Sequence, residues 1–589
     1  MTGDWHGAAV SERLGGFLDS LAGSAEPGLA VGVYTGGTLY ASAAAGAAVV
    51  EHDVPITEHT AFDIASVSKQ MTAACVLLLA RDGRLDLDAD IRVLLPELAL
   101  TRPVTLRQCL THTAGLRDYF ALCDLAGIPV PGIGEPRFMH LITGQSDLDF
   151  APGSAFSYSN TGYVIAAAIV RRVTGDGLAR FARDRLFGPL GMSATRFRDE
   201  VSVLVPRLAC GYLAMPGGFR RCDVTEEVVG DGAVVTTIAD LAAWHGFMSS
   251  GAVLGADIRD GLLARQILAD GTQIDYALGV AAIDVAGTAA WWHSGSWAGY
   301  RSAVIYLPAE RAGVSVLANR NDHNASLVAL AVAGALITGA DPGSGYEAAG
   351  GIPVPPDAAL GKRDTVTGLW HEDDEDLFLE LHQAESGQVA VRGAGAEYRY
   401  RLSTDGAWHG IGPAGGSRYT VRDGTLIAGW GLSAQAEGRY RRVPEVGGPP
   451  AVADAPSAVT AESPVGTVGS AGSPVAAAGR PAAPDGQSAA PDGRPVGTYR
   501  SGELAAYADV TADAAGALTI TIGLAGPRSL ERAGPDVWRG DGLTVRIDPA
   551  GSGLLVSTPR ARRVRFDPAA GPPADRGVIR GLLDWRKPL

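Results

Sequence analysis

The chain has 589 residues, 46% of them hydrophobic and 19% charged, a balance that builds folded domains and excludes disorder throughout. At roughly 100–200 residues per domain the length predicts about three domains and excludes a single small binding module. Lys and Arg total 49 against 64 Asp and Glu, a formal net charge of −15. This is the wrong sign for neutralising phosphates, so nucleic acid is not expected as a partner.

The opening segment MTGDWHGAAVSERLGGFLDSLAG carries Asp4, Glu12 and Asp19 and reads as an amphipathic helix instead of a secretion signal. LAVGVYTGG and TLYASAAAG alternate about Gly36-Gly37 and predict a hairpin. In SKQMTAACVLLLARDG apolar residues recur at helical spacing from Met71 to Leu79, with Gly83 closing the helix. Tyr163 to Val173 and Ile238 to Phe247 predict further helices, and SAVIYLP and GVSVLAN predict adjacent core strands. The apolar run Ala325 to Gly339 is shorter than the ~18–20 residues of a membrane span and predicts a buried helix, so no membrane partner is expected. Residues 1–345 are therefore expected to form one α+β domain. Cys75, Cys109, Cys123, Cys210 and Cys222 are odd in number and lack C-x-x-C spacing, which predicts buried thiols and a cytoplasmic, reducing compartment.

After Thr367 short alternating strands replace helices, predicting antiparallel β-barrels over 360–443 and 495–575. Gly368 and Gly497, and likewise Gly387 and Gly516, are 129 residues apart, as in a duplicated unit. Between the two, residues 444–494 are rich in Pro, Ala, Gly and Ser and repeat Ala-Pro-Asp-Gly, a composition that buries no core and predicts an extended linker. The acidic run from His371 to Asp376 reads as a solvated turn in preference to a cation site. No metal cluster is visible in the sequence, and no cofactor is expected.

Three short elements carry chemistry. Ser66-Val67-Ser68-Lys69 opens the first long helix, and residues three apart share a helix face, so Lys69 can sit against the Ser66 hydroxyl and help remove its proton. Taken alone, the same pattern equally describes a capping serine followed by a solvated lysine. Tyr158-Ser159-Asn160 precedes a helix in a Gly- and Ser-rich turn, from which a phenol and a carboxamide can project into a cleft. His293-Ser294-Gly295 reads as part of an edge strand, with Gly295 allowing close backbone approach. His112 and Asp231 read as structural residues, and Trp291-Trp292 fits pocket lining and core packing equally.

The ordered set Ser-x-x-Lys, Tyr-x-Asn and His-x-Gly resembles the serine β-lactamase and penicillin-binding-protein superfamily. Five segments are also similar in family order over about residues 27–340: FDIASVSKQMT, LTHTAGLRDYFAL, APGSAFSYSN, VVGDGAVVTTIADLAAW and WHSGSWAGYRS. Histidine at the position where Lys-Thr-Gly is usual resembles the D-aminopeptidase and class C-like esterase branch. The two β-segments are similar to the paired lipocalin-like barrels of bacterial D-aminopeptidases. The resemblance implies a β-lactamase-like catalytic domain with an antiparallel sheet and a helical subdomain. It implies catalysis by Ser66, Lys69 and Tyr158, with Asn160, His293, Gly295 and Ser296 binding substrate and the backbone N–H groups of Ser66 and Ser296 forming an oxyanion hole. The implied activity is release of N-terminal D-amino acids of the D-Ala type from a small peptide or amide through a Ser66 acyl-enzyme, in a homodimer. Titration of His293 near neutrality would disfavour carboxypeptidase and β-lactamase chemistry. The family's last barrel sends a loop into the site, matched here by Leu524 to Val537 with Arg528, Glu531 and Arg532. Two arginines would repel a substrate ammonium. A broader serine esterase or β-lactamase-like transacylase, and a non-catalytic penicilloyl-binding protein, stand as the alternatives.

Overall fold

The segment LAVGVYT shows no polar alternation because both its faces are covered, with six of its seven residues buried. It is a central strand of a six-stranded antiparallel sheet in the computed structural model, which describes residues 7–215 and 217–350, the strands between 368 and 442, and most of 496–569. The strand order is Ala281–Val285, Thr288–Trp297, Tyr300–Leu307, Ala312–Ala318, Leu29–Thr35 and Thr38–Ala45. Helices Gly7–Asp19 and Ala325–Thr338 cover one face through Val10, Leu14, Val328 and Val332. Helix Ile238–Ser250 covers the other, joining Trp244 and Phe247 to the core of helices Lys69–Arg81 and Thr161–Thr174. Each large apolar side chain buried this way contributes roughly 1.5–3 kcal/mol, so sheet and helices form a stiff frame for the turn between them at Ser66.

The run after Ala325 is a helix of 14 residues. Among the described residues no helix is long and apolar enough to cross a membrane. Cys75, Cys109, Cys123 and Cys210 are buried, Cys222 is half-buried, and all five are free thiols.

Two closed barrels of eight antiparallel strands follow, the first running from Gly368–His371 to Ala436–Arg442 and the second from Gly497–Ser501 to Ala561–Pro568. Their first strands begin at the two glycines 129 residues apart. Alternation is clear in the second barrel, where Leu518–Ile522 buries every other residue, and closure leaves no open sheet edge. The linker at 444–494, the acidic run after His371, Gly387 and Gly516 lie outside the described residues.

One sequence expectation changes here. The strand Thr288–Trp297 is not an edge strand along its length, because Ala281–Val285 pairs with Thr288 to Trp292. That neighbour has only five residues, so His293 to Trp297 run past its end and pair only with Tyr300–Leu307. The exposed border is local, and it faces the Ser66 turn.

Candidate active site

Ser66 lies in a single 3-10 turn, Ala65–Ser68, that leads into helix Lys69–Arg81. The turn is strained: Ala65 has φ of 44°, a left-handed conformation that side chains other than glycine seldom adopt. It is held by Asp63, whose Oδ1 accepts from the Ala65 N–H at 2.7 Å. The three-residue spacing then stacks Lys69 beneath the hydroxyl, and Nζ donates to Ser66 Oγ at 3.0 Å. The same ammonium donates to Asn160 Oδ1 at 2.8 Å and to the Asp231 carbonyl at 2.7 Å. It sits 5.0 Å from the Tyr158 ring centre. Lys69 is fully buried, so all its charge is presented to these groups.

Tyr158 and Asn160 come from the turn before helix Thr161–Thr174. Asn160 is fixed from outside the motif: Asp118 Oδ2 accepts from its backbone N–H at 2.7 Å and from Nδ2 at 3.0 Å. This bond orients the carboxamide oxygen toward Lys69. The His112 ring lies against that of Tyr158, with centroids 4.1 Å apart and planes tilted by 35°, and its Nδ1 accepts from the Ser159 N–H.

Ser66, Tyr158, Asn160, Ser294 and Ser296 line one cavity of about 320 Å³. Gly295 explains how the strand reaches Ser66. A β-carbon there would lie 2.1 Å from the Ile64 carbonyl oxygen and 2.3 Å from Ser302 Oγ, so only glycine lets the backbone pass this close.

His293 behaves differently from the sequence expectation. It is fully buried; burial, with Lys69 nearby, lowers its pKa to about 3, so it does not titrate near neutrality. Its Nδ1 lies 2.7 Å from the Ser294 carbonyl and must carry the proton, so Nε2 accepts from the Tyr276 hydroxyl at 2.9 Å. The imidazole is a neutral brace under the strand, and Ser294 and Ser296 face the cavity in its place.

The segment with Arg528, Glu531 and Arg532 is also corrected. Arg528–Gly534 is a strand of the second barrel, and none of the three residues lines the cavity. Arg528 pairs with Asp124 at 2.7 Å, Glu531 with Arg539 at 3.5 Å, and the Arg532 guanidinium lies over Trp538. Residues 523–526 lie outside the described residues.

Sequence reasoning passed over Asp63 and Glu226 and read Asp231 as structural. Asp63, Glu226 and Asp231 line the cavity with Tyr119, Phe120, Val224, Val228 and Trp297, and among the described lining residues none is basic. Burial raises the Asp63 pKa to about 7. Asp231 accepts from the Tyr119 hydroxyl, and burial, opposed by Lys69, raises it to about 6. Glu226 Oε2 accepts from Trp297 Nε1 at 2.9 Å. Asp231 is thus a site residue on two counts, through its carbonyl on Lys69 and its carboxylate on the wall. Trp292 is fully buried in the core beneath one face of the sheet, and Trp291 packs against the separate core of the helical side.

A serine on a strained turn, a buried lysine against it and an open strand border beside it define a serine hydrolase of the penicillin-recognising class. The Beta-lactamase family profile matches residues 17–338. The chain belongs to that family. It is similar to a D-aminopeptidase of Gluconobacter oxydans (strain 621H), with 29% identity over 368 residues covering 61% of this chain and 66% of the relative. A D-aminopeptidase of Cereibacter sphaeroides (strain KD131 / KCTC 12085) is 28% identical over 403 residues, 68% of this chain and 73% of its own length. The octameric penicillin-binding protein homologue from Pyrococcus abyssi shares the fold at a TM-score of 0.51 and 20% identity, over 74% of this chain and 99% of its own.

Proposed function

We propose that the protein is a D-stereospecific aminopeptidase or amidase that releases an N-terminal D-amino acid through an ester on Ser66. The observation that carries this reading is the cavity wall: three carboxylates, no basic side chain among the described lining residues, and a neutral His293. Such a wall favours an ammonium and repels a carboxylate, so a substrate with a free amine and a blocked or continuing carboxyl end fits it best.

In the reaction, Lys69 and Tyr158 act together as the base: Tyr158, as a phenolate charge-balanced by the Lys69 ammonium, takes the Ser66 hydroxyl proton while Oγ bonds to the acyl carbon. The backbone N–H groups of Ser66 and Ser296 receive the oxyanion; one such donor is worth about 3 kcal/mol. Collapse breaks the C–N bond, and Tyr158 returns a proton to the leaving amine. Water then adds to the ester, the same base takes its proton, and the amino acid leaves as Oγ is reprotonated. Asn160 bonds the substrate amide while keeping Lys69 aligned. The D-aminopeptidase relatives support the stereochemical part of the reading.

The test is release of D-alanine from D-alanine amide against L-alanine amide, in wild type and Ser66→Ala. The expected result is turnover of the D-amide by wild type alone. Rapid p-nitrophenyl acetate hydrolysis without D-amide turnover would instead make the protein a general esterase.

The wall also predicts a pH dependence. A carboxyl with a raised pKa is neutral below it and charged above, so Asp231 and Asp63 ionise as pH rises through about 6 and 7. A substrate amine stays protonated up to about 7.7–8.0. KM for D-alanine amide is therefore expected to fall between about pH 5.5 and 7.5, whereas KM for the uncharged p-nitrophenyl acetate stays level. Parallel pH profiles for the two substrates would contradict an ammonium site at these carboxylates.

A further inference from the structure

The second barrel is joined to the helical region by a buried charge network that ends next to the site. Arg117 is a buried residue of the catalytic region, its side chain 2% exposed. Most of its partners come from the barrel. Nη1 pairs with Glu503 Oε2 at 2.6 Å, Nε donates to the Arg562 carbonyl at 3.0 Å, and Nη2 donates to that of Arg563 at 3.4 Å. Within its own region Arg117 meets Gln145 Oε1 at 3.0 Å and Asp149 at 3.7 Å, but Asp149 Oδ1 also accepts from the Arg562 N–H at 2.7 Å. Glu503 sits in the turn between strands Gly497–Ser501 and Ala506–Ala512. The turn is seated closely: a β-carbon on Gly144 would lie 2.8 Å from the Glu503 carbonyl, and Ser146 Oγ donates to Glu503 Oε1 at 3.2 Å.

Arg117 leads straight to the site. Its carbonyl accepts from Thr161 Oγ1 at 2.7 Å, and the next residue, Asp118, takes both Asn160 donors. Two consecutive residues therefore grip the Asn160-Thr161 pair that holds Lys69, while the guanidinium of the first is anchored in another part of the chain. A buried arginine is costly when its counter-charge is weakened, and without Glu503 only the more distant Asp149, at 3.7 Å and shared with the Arg562 N–H, remains among the described residues, so loss of Glu503 would loosen the 117–118 segment where it meets Asn160.

We propose that Glu503 is a positioning residue of the active site, acting through Arg117 and Asp118 on Asn160 and Lys69, so that docking of the second barrel sets the alignment of the nucleophile's base. The proposal rests on the assignment of Ser66, Lys69 and Asn160 to the reaction. A residue that acts by aligning the base affects kcat and leaves substrate affinity in place.

The test measures kcat and KM for D-alanine amide and p-nitrophenyl acetate on the full chain, with Ser66→Ala, Asn160→Ala, Glu503→Ala, Glu503→Gln, Ser146→Ala and the Glu503→Ala/Asn160→Ala pair. Glu503→Ala is expected to lower kcat at least ~10-fold with KM within ~2-fold, because small misplacements of a base are costly in rate. Glu503→Gln, which keeps an acceptor for Arg117, should recover part of that loss. Ser146→Ala deletes a bond across the same interface without touching Arg117 and should stay within ~2-fold of wild type. The double variant should be no slower than Asn160→Ala, since both changes act on one group. Unchanged kcat in Glu503→Ala, an equal loss in Ser146→Ala, or multiplied losses in the double variant would each overturn the proposal. Should Glu503→Ala not fold, Glu503→Gln and its pair with Asn160→Ala are judged by the same comparisons. Full activity of Ser66→Ala would overturn the assignment of the site itself, a result separable from any of these.

Discussion

Lys69→Met is expected to lower kcat by about 10²–10⁴-fold, the range for loss of a positioned proton-transfer group, while the protein still folds. The lysine is the only residue that touches Ser66 Oγ, Asn160 Oδ1 and the Asp231 carbonyl together among the bonds described. Methionine fills similar space without a donor, leaving those three acceptors to find new partners. Removing a fully buried ammonium also removes its desolvation cost, which offsets part of that penalty. The Asp231 carboxyl, drawn down by Lys69, should then titrate above its present value of about 6. Kinetics and a melting curve on one preparation check both halves. Retention of wild-type kcat would remove Lys69 from the base role, and Ser66→Ala supplies the floor for comparison.

Gly295→Ala is expected to cost about 10²-fold in kcat and roughly 1–3 kcal/mol of stability. The added methyl would fall 2.1 Å from the Ile64 carbonyl, which also accepts from Ser302 Oγ at 2.7 Å. The strand must therefore move away from the turn that carries Ser66, carrying Ser294 and Ser296 with it. A shift of about 1 Å between Ser66 and Ser296 is enough for the predicted loss in rate. Rate and melting temperature should fall together. An alanine variant with normal kcat would show that the close approach at Gly295 does not set the site.

How much of this was legible depended on the range of the interaction. Helices at 69–81 and 161–174 and the hairpin at 29–45 follow from periodicity and turn glycines, because those signals are local. The contact of Ser66 with Lys69 was legible for the same reason: a three-residue spacing at a helix start brings the two side chains together whatever surrounds them. His293 was misjudged because its charge depends on burial and on the nearness of Lys69, and the sequence spacing reports neither. Arg528, Glu531 and Arg532 were placed in a loop by the resemblance to the family's last barrel, yet they lie on a strand and Asp124 claims Arg528.

The sequence by itself determined the α+β class, the two β-rich copies, the Ser66–Lys69 pair and the Tyr158 and Asn160 turn, each encoded in residues close along the chain. Tertiary structure decided the cavity's character. Asp63, Glu226 and Asp231 reach one cavity from distant segments, Asp118 braces Asn160 from 42 residues away, and Glu503 meets Arg117 across 386. The physical reason is that pKa values and electrostatic fields follow distance in space and exclusion of water, which only the folded chain establishes.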